Sequence, residues 1–543
     1  MRPTLLLLAS LLTACQVLPD LSQREPSIYI PTVHSPQLEH ALNLPPNSDP
    51  DPAPADLPSN PQQPKPPTEP IFNAHTHIID QANQAYALRA SLIDHASVSI
   101  DAQYYIWHND TTGKQLLRKL LQAAQRGVRV RLLLDDNNTN GMDNILIALN
   151  AHPNIQIRLF NPFLIRKWRA LGYLADFPRV NRRMHNKTLI ADNRASIIGG
   201  RNIGDEYLTD SAQKTTFADM DVLVSGSIVT RISQEFDRYW RSDSAYPLET
   251  IIKPTARRIA QGNAQLNTPA PEPTPESPPQ GSLKYYPSQI QLVSDDPAKA
   301  LDRKVRVNVW NEIQKALGTP QRELYLVSPY FVPTRTGADI MQTITQSGIH
   351  TTILTNSLAA TDVAPVHSGY MRYRKPLLRA GVELYELKAE SNDKKRKLKD
   401  RGLTGNSGTS LHAKTFIVDK QRVFVGSFNL DPRSARLNTE MGVVIQSPEL
   451  AQTLQQQLHQ QAQHEAYRVT LSDKGKVQWQ DPDHPEQPPA TTEPQASLFK
   501  RALSKFLSWL PIERLAIIGS LKILPNCHPR NGAATARRQM HIQ

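Results

Sequence analysis

Cysteine is nearly absent from this chain. Cys15 and Cys527 are its two cysteines, too few for a disulfide framework. Long apolar runs are missing as well. The N-terminal one, Leu5 to Leu8 with Leu11 and Leu12, is much shorter than the ~20 residues that span a bilayer as a helix. Near the motifs described below, no His, Cys, Asp or Glu cluster has metal-ligand spacing, so neither a metal nor a cofactor is expected. His75 and His77 could supply half a metal site. They read instead as loop residues, because no acidic constellation stands beside them. Acidic residues are in deficit, 50 against 62 Lys and Arg, for a net charge of +12. That excess suits a polyanion or an anionic lipid surface and cannot choose between them.

What is present is a repeated motif. His185, Lys187, Asp192, Gly199, Gly200 and Asn202 recur at the same offsets as His412, Lys414, Asp419, Gly426, Ser427 and Asn429. Each copy reads H-x-K-x4-D-x6-G-[GS]-x-N. A chance match in a chain this long is roughly a one-in-a-thousand event, and two matches argue against accident. The apolar and β-branched residues after each His predict a strand, a tight turn at the Asp, and a second strand. Two residues apart on a strand, each His and Lys share a face. The glycines admit close approach of a ligand.

The rest of the chain repeats too. Strand, helix and strand are expected at 98–107, 116–125 and 128–134, and again at 324–331, 338–345 and 351–355, giving βαβ units and a parallel sheet. Aligning Asn438 to Ile445 with Phe217 to Val224 sets Glu440 opposite Asp219. These two carboxylates are candidates to fix the tautomers of the histidines. Two His, two Lys and two Asn supply a nucleophile, an acid and cationic donors for phosphodiester transfer. As turn residues, Asp192 and Asp419 can belong to the motif through structure as well as chemistry.

These motifs resemble the signature of the phospholipase D superfamily, in a form with two copies per chain. The resemblance implies an α/β fold: two phospholipase D-like α-β-α sandwich domains related by pseudo-twofold symmetry, with the active site at their interface. It also implies a phosphohistidine on His185, acid/base action by His412 or the reverse, and phosphate binding by Lys187, Lys414, Asn202 and Asn429. Asp192 and Asp419 are carried with the catalytic set. Further stretches, including Asp101 to Trp107, Arg131 to Thr139, Ser294 to Lys299, Tyr330 to Arg335, Leu354 to Ala360 and Phe428 to Ser434, look like the cardiolipin synthase C branch. The resemblance covers roughly 90–515. It implies a transferase that makes cardiolipin from phosphatidylglycerol and either phosphatidylethanolamine or a second phosphatidylglycerol. A hydrolytic phospholipase D and a nuclease use the same motifs and stay open. The Lys394 to Lys397 run lacks interleaved aromatics, so no nucleic-acid partner is expected. Oligomeric state is not readable.

The ends and linkers have their own signals. Leu12-Thr13-Ala14-Cys15 after a basic start looks like a lipoprotein signal (1–14) with Cys15 as the lipidated residue; an ordinary secretory signal is the alternative. Gln16 in place of Asp favours the outer membrane of a Gram-negative envelope, facing the periplasm. Residues 15–70 read as a Pro-rich tether, 71–255 as domain 1, 256–283 as a Pro-rich linker, 284–475 as domain 2 and 476–496 as a linker. The segment 497–525 reads as a membrane-associating amphipathic helix, or one docked on the protein, before a tail at 526–543.

Overall fold

In the computed structural model, the described residues are 18–31, 34–46, 69–209, 216–268, 283–303, 305, 308–389 and 409–509. Cys15, the 394–397 run and everything past Trp509 lie outside them.

The first half contributes strands β1 (Phe72–Ile79), β2 (Ser99–Tyr104), β3 (Arg129–Asp135), β4 (Ile155–Phe160), β5 (Thr188–Ala191), β6 (Ala195–Gly199), β7 (Thr216–Ala218), β8 (Asp221–Gly226) and β9 (Ala245–Pro247). The second contributes β10 (Tyr286–Ser294), β11 (Glu323–Val327), β12 (His350–Asn356), β13 (Glu383–Leu387), β14 (Thr409–Leu411), β15 (Thr415–Val418), β16 (Arg422–Gly426), β17 (Met441–Gln446), β18 (Ala466–Leu471) and β19 (Val477–Gln480). Lateral order in the first half is β1-β8-β6-β5-β2-β3-β4-β9. The second half runs β10-β17-β16-β15-β11-β12-β13-β18-β19. The two orders correspond strand for strand until β19. β2-β3-β4 and β11-β12-β13 are the parallel triplets. β1 and β10 pair antiparallel, so both halves share one continuous 17-stranded sheet.

Helices cover both faces because the strands are apolar on both sides. Helix Thr111–Gln125 turns Leu116, Leu117 and Leu120 into the core, and Asp110 caps it by accepting from Gly113 N at 3.0 Å. Its partner in the second half is Thr334–Gln346.

Several expectations about linkers are corrected. In the stretch read as a tether, Tyr29, Leu38 and Leu42 are buried, and helix Pro36–Leu42 packs on helix Ala82–His95. Arg24 donates to the carbonyls of Ser242 and Ala245. Prolines there did not preclude packing, because a few apolar side chains among them had a surface to bury. The linker at 256–283 begins with helix Ala256–Asn267, laid against helix Asp143–Asn150. Gly262 permits this contact, since a Cβ would sit 2.1 Å from Asn144 O. The linker at 476–496 adds β19 to the sheet and buries Glu493 against Arg374. His75 and His77 lie on β1, not in a loop. His75 lines a cavity of about 520 Å³ between β1, β10 and β17, remote from both motifs, and His77 Nδ1 is 3.0 Å from Lys284 O.

Candidate active site

Each motif folds as the spacing predicts, with one correction. His185 and Lys187 lie in extended chain just before β5, and His412 and Lys414 just before β15. They are therefore not ladder residues. Their backbone bonds cross to the other half instead. His185 N donates to Thr439 O at 2.8 Å, and Thr439 N to Arg183 O at 2.9 Å. His412 N donates to Ala218 O at 2.8 Å. Each motif is thereby paired with the segment that carries the other half's carboxylate.

The side chains follow. Glu440 Oε2 lies 2.8 Å from His185 Nδ1, and Asp219 Oδ2 lies 2.5 Å from His412 Nδ1. A neutral imidazole that donates Nδ1–H to a carboxylate carries its lone pair on Nε2, the atom that nucleophilic or acid–base chemistry uses. Lys187 Nζ donates to His185 O at 2.5 Å, and Lys414 Nζ donates to His412 O. All four motif side chains are buried. Tyr105 meets His185 edge-on with centroids 4.9 Å apart, and Tyr207 meets His412 likewise at 5.5 Å. Sequence reasoning singled out neither tyrosine's role, although Tyr105 falls within the strand expected at 98–107, one residue past the observed end of β2. Nothing in local pattern marks a ring that packs on a distant histidine.

Burial dominates the electrostatics. It pushes His185 down to about 4, against the pull of Glu440. His412 falls to about 3 through burial and the Lys414 charge, against the pull of Asp219. Lys187 falls to about 7 and Lys414 to about 8, again through burial, with Lys414 further lowering Lys187. Burial opposes ionisation of Glu440 and Asp219, yet neighbouring His and Lys hold both carboxyls below their usual range. Near pH 7 both imidazoles are thus neutral and both lysines stand close to their titration point.

The halves differ at one motif position. A Cβ on Gly200 would sit 2.3 Å from Asp219 Oδ1, so glycine makes room for that carboxylate. Its counterpart Ser427 donates its hydroxyl to Glu440 Oε2 at 2.5 Å, and Ser434 donates to Oε1 at 2.7 Å. Asn202 and Asn429 are buried beyond the glycines, and Asn202 Oδ1 accepts from Ile106 N at 3.3 Å.

Asp192 and Asp419 are placed elsewhere. Each lies five positions along the chain from its Lys, about 16 Å if extended. Asp192 accepts from Val98 N and Ser99 N through Oδ1, and from Ser97 N and the Ser35 and Ser97 hydroxyls through Oδ2. Asp419 accepts from Gln321 N, Arg322 N and Glu323 N. Each stands with the next residue at positive φ, in the tight turn between the two strands of its hairpin. The catalytic grouping of these two aspartates is corrected: they tie the hairpin to the start of β2 and β11.

The strand ends in front of the motifs also match. Asp135, last in β3, accepts from Met184 N at 2.8 Å. Asn356, last in β12, exchanges hydrogen bonds with the Leu411 backbone at 2.9 Å in both directions. The histidines therefore sit at the carboxyl ends of the parallel strands, where α/β sheets bind ligands. Among the described residues, two other groupings could offer three ligand atoms to a metal ion. His108, Asp110 and Glu206 are one, with Asp110 spent on capping its helix. In the other, Arg374 already lies between His367, Glu386 and Glu493.

A family model described as "Cardiolipin synthase, PLD-like domain" matches residues 90–240 and 313–462. The chain is 43% identical over 451 residues to cardiolipin synthase C of Escherichia coli, covering 80% of this chain and 95% of that protein. It is 26% identical over 377 residues to the major cardiolipin synthase of Bacillus subtilis, covering 69% and 66%. The crystal structure of a phosphatidylserine synthase from Haemophilus influenzae superposes with a TM-score of 0.57 at 14% identity, over 82% of this chain and 96% of that one. With two matched domains, two motifs meeting at one junction and these relatives, the chain belongs to the cardiolipin synthase family of phospholipase D-like proteins.

Proposed function

We propose that this protein is a phosphatidyltransferase that makes cardiolipin through a phosphohistidine. The observation that carries this reading is the crossed pair of contacts, His185 to Glu440 and His412 to Asp219. Each ties an Nδ1 to a carboxylate of the other half, in a buried site that also holds Lys187 and Lys414.

In the proposed sequence, Lys187, Lys414, Asn202 and Asn429 hold the nonbridging oxygens of a lipid phosphodiester. His185 Nε2 attacks phosphorus. The P–N bond forms, the P–O bond to the headgroup breaks, and protonated His412 gives its proton to the leaving alkoxide. His412, now neutral, takes a proton from a glycerol hydroxyl of phosphatidylglycerol. That oxygen attacks phosphorus, the P–N bond breaks, and cardiolipin leaves with His185 restored.

The assignment of roles is supported by the asymmetry at Gly200 and Ser427. Glu440 shares its charge among His185 and two hydroxyls, which suits a nucleophile that stays neutral. Among the described residues no hydroxyl donates to Asp219, which can favour the imidazolium that an acid needs. Lys414, 2.9 Å from His412 Nδ1, opposes that protonation, and a phosphodiester anion between the lysines offsets its charge.

Among the described residues no helix is long and apolar enough to cross a membrane. Lipidation of Cys15 and attachment to the periplasmic side of the outer membrane remain part of this proposal, supported by the leader sequence alone.

The test offers purified full-length protein phosphatidylglycerol alone, then with phosphatidylethanolamine, and reads products by mass. Cardiolipin is expected, and the released glycerol or ethanolamine names the donor. Phosphatidic acid alone would make the protein a hydrolase. No lipid product, with naked DNA degraded, would make it a nuclease.

A further inference from the structure

Eleven large hydrophobic residues are exposed among the described ones, and eight of them fall in two short stretches. Leu498, Phe499, Leu503, Phe506 and Trp509 lie on helix Leu498–Trp509. Trp168, Leu174 and Phe177 lie between β4 and the first motif.

The helix is docked, but with its amphipathy reversed. At about 100° per residue, Leu498, Trp509, Ala502, Phe506, Phe499 and Leu503 form one arc of about 140°. All six are exposed, Leu498 at 81% and Trp509 at 74%. The opposite side runs through Leu507, which is half-buried, then Lys500, Ser504, Ser508 and Arg501. Lys500 Nζ donates to the carbonyls of Ala359 and Thr361 at 3.3 and 3.0 Å, Ser504 is buried, and Ser508 O accepts from Arg372 Nε at 2.6 Å. Polar groups, with Leu507 as the one large apolar side chain on that side, therefore fix the helix to the protein, and its apolar arc is turned outward. A helix docked for its own burial would show the opposite side. Lys505 is exposed beside the arc, and Lys167 beside Trp168.

Both stretches leave the catalytic end of the sheet. The helix rests on helix Ala364–Met371 and on residues 359–361, which follow the carboxyl end of β12. The Trp168 stretch follows β4 and is held by Arg166 on Asp136 at 2.7 Å, just past the end of β3. These strand ends present Asp135 and Asn356 to the two motifs.

We propose that these two patches, one from each half, form a single surface that seats on an anionic bilayer and opens the active site toward its lipid. The apolar side chains enter the headgroup–acyl boundary, and Lys167 and Lys505 meet anionic headgroups. The inference rests on the proposed lipid substrate for its meaning, but its test does not depend on turnover.

Two triple variants of the full chain test it: Trp168→Ser/Leu174→Ser/Phe177→Ser and Phe499→Ser/Phe506→Ser/Trp509→Ser. Flotation with vesicles of equal phosphatidylglycerol and phosphatidylethanolamine is expected to show at least a tenfold weaker partition for each. Turnover of monomeric dihexanoyl phosphatidylglycerol should stay near wild type. In the unmutated protein, brominated acyl chains should quench tryptophan emission, and Trp168→Phe and Trp509→Phe should each remove part of that quenching. Undiminished vesicle binding by either triple variant overturns the proposal. So does a dimer that the helix variant converts to monomer while vesicle binding is unchanged, since a second copy would then be the occupant. Failure to turn over the monomeric lipid would count against the proposed function and leave the vesicle result to stand alone.

Discussion

Glu440 of the second half lies 2.8 Å from Nδ1 of His185 in the first, and it is shared with the Ser427 and Ser434 hydroxyls. Removing its charge while keeping its shape should leave His185 free to take the wrong tautomer. Glu440→Gln is expected to lower the rate of cardiolipin formation by about 10² to 10⁴. Asp219→Asn should fall in the same range. Initial rates on folded protein, with circular dichroism as control, decide this. A rate within a few-fold of wild type would remove the orienting role.

The motif aspartates should behave differently. Asp192→Asn and Asp419→Asn replace carboxylates that hold several backbone N–H groups. Each is expected to cost about 1–3 kcal/mol of stability, with turnover per folded molecule little changed. Thermal melts and active-site-normalised rates separate these effects. Loss of turnover without loss of stability would return the two aspartates to the chemistry.

The buried lysines strain the fold for the sake of the site. Lys187 is pushed down to about 7 from its ordinary 10.5. Below pH 7 it is charged in both folded and unfolded chains, so the full penalty of burying its charge is present. Between pH 7 and 10.5 the unfolded chain binds the extra proton, so the contribution of Lys187 to wild-type stability rises with pH. Lys187→Met should therefore be inactive but more stable than wild type near pH 6, and this advantage should shrink as pH rises to 10. Melting temperatures across that range check the sign. A constant difference would rule out titration of Lys187 as its source.

Trapping distinguishes the two histidines. With phosphatidylglycerol labelled in the phosphatidyl group, a rapid denaturing quench of the wild type should leave an acid-labile, base-stable label on the peptide that carries His185 and none on the peptide that carries His412. The reverse pattern would exchange their roles.

The motifs and paired carboxylates were legible in the sequence because they recur at fixed offsets, and Asp219 aligns with Glu440 through its following apolar strand. The βαβ units were legible from periodicity. Packing between distant segments was not. Tyr29 and Leu38 lie in a stretch whose prolines suggest an unpacked tether, yet they are buried. Residues 256–267 look like linker until Gly262 meets the Asn144 carbonyl. Apolar spacing announced helix Leu498–Trp509, but its outward-facing arc depends on carbonyls at Ala359 and Thr361 that no local pattern reveals. The positions of Asp192 and Asp419 were read correctly as turns. What they hold became visible only with the backbones around them.

The pairing of Phe72 to Thr76 with Tyr286 to Ile290 also has a bearing on how the molecule could be divided. Cut in the 256–283 region, each half would carry a raw strand edge, β1 on one and β10 on the other. Such edges seek a partner. Because the halves correspond strand for strand, a single half could meet a copy of itself along that edge and rebuild the junction as a homodimer. Such a homodimer would regain catalytic geometry only if its own carboxylate could reach across to its twin's histidine. The covalent link thus does more than join two lobes. It guarantees that Glu440 meets His185 and Asp219 meets His412, and so allows the two histidines to specialise.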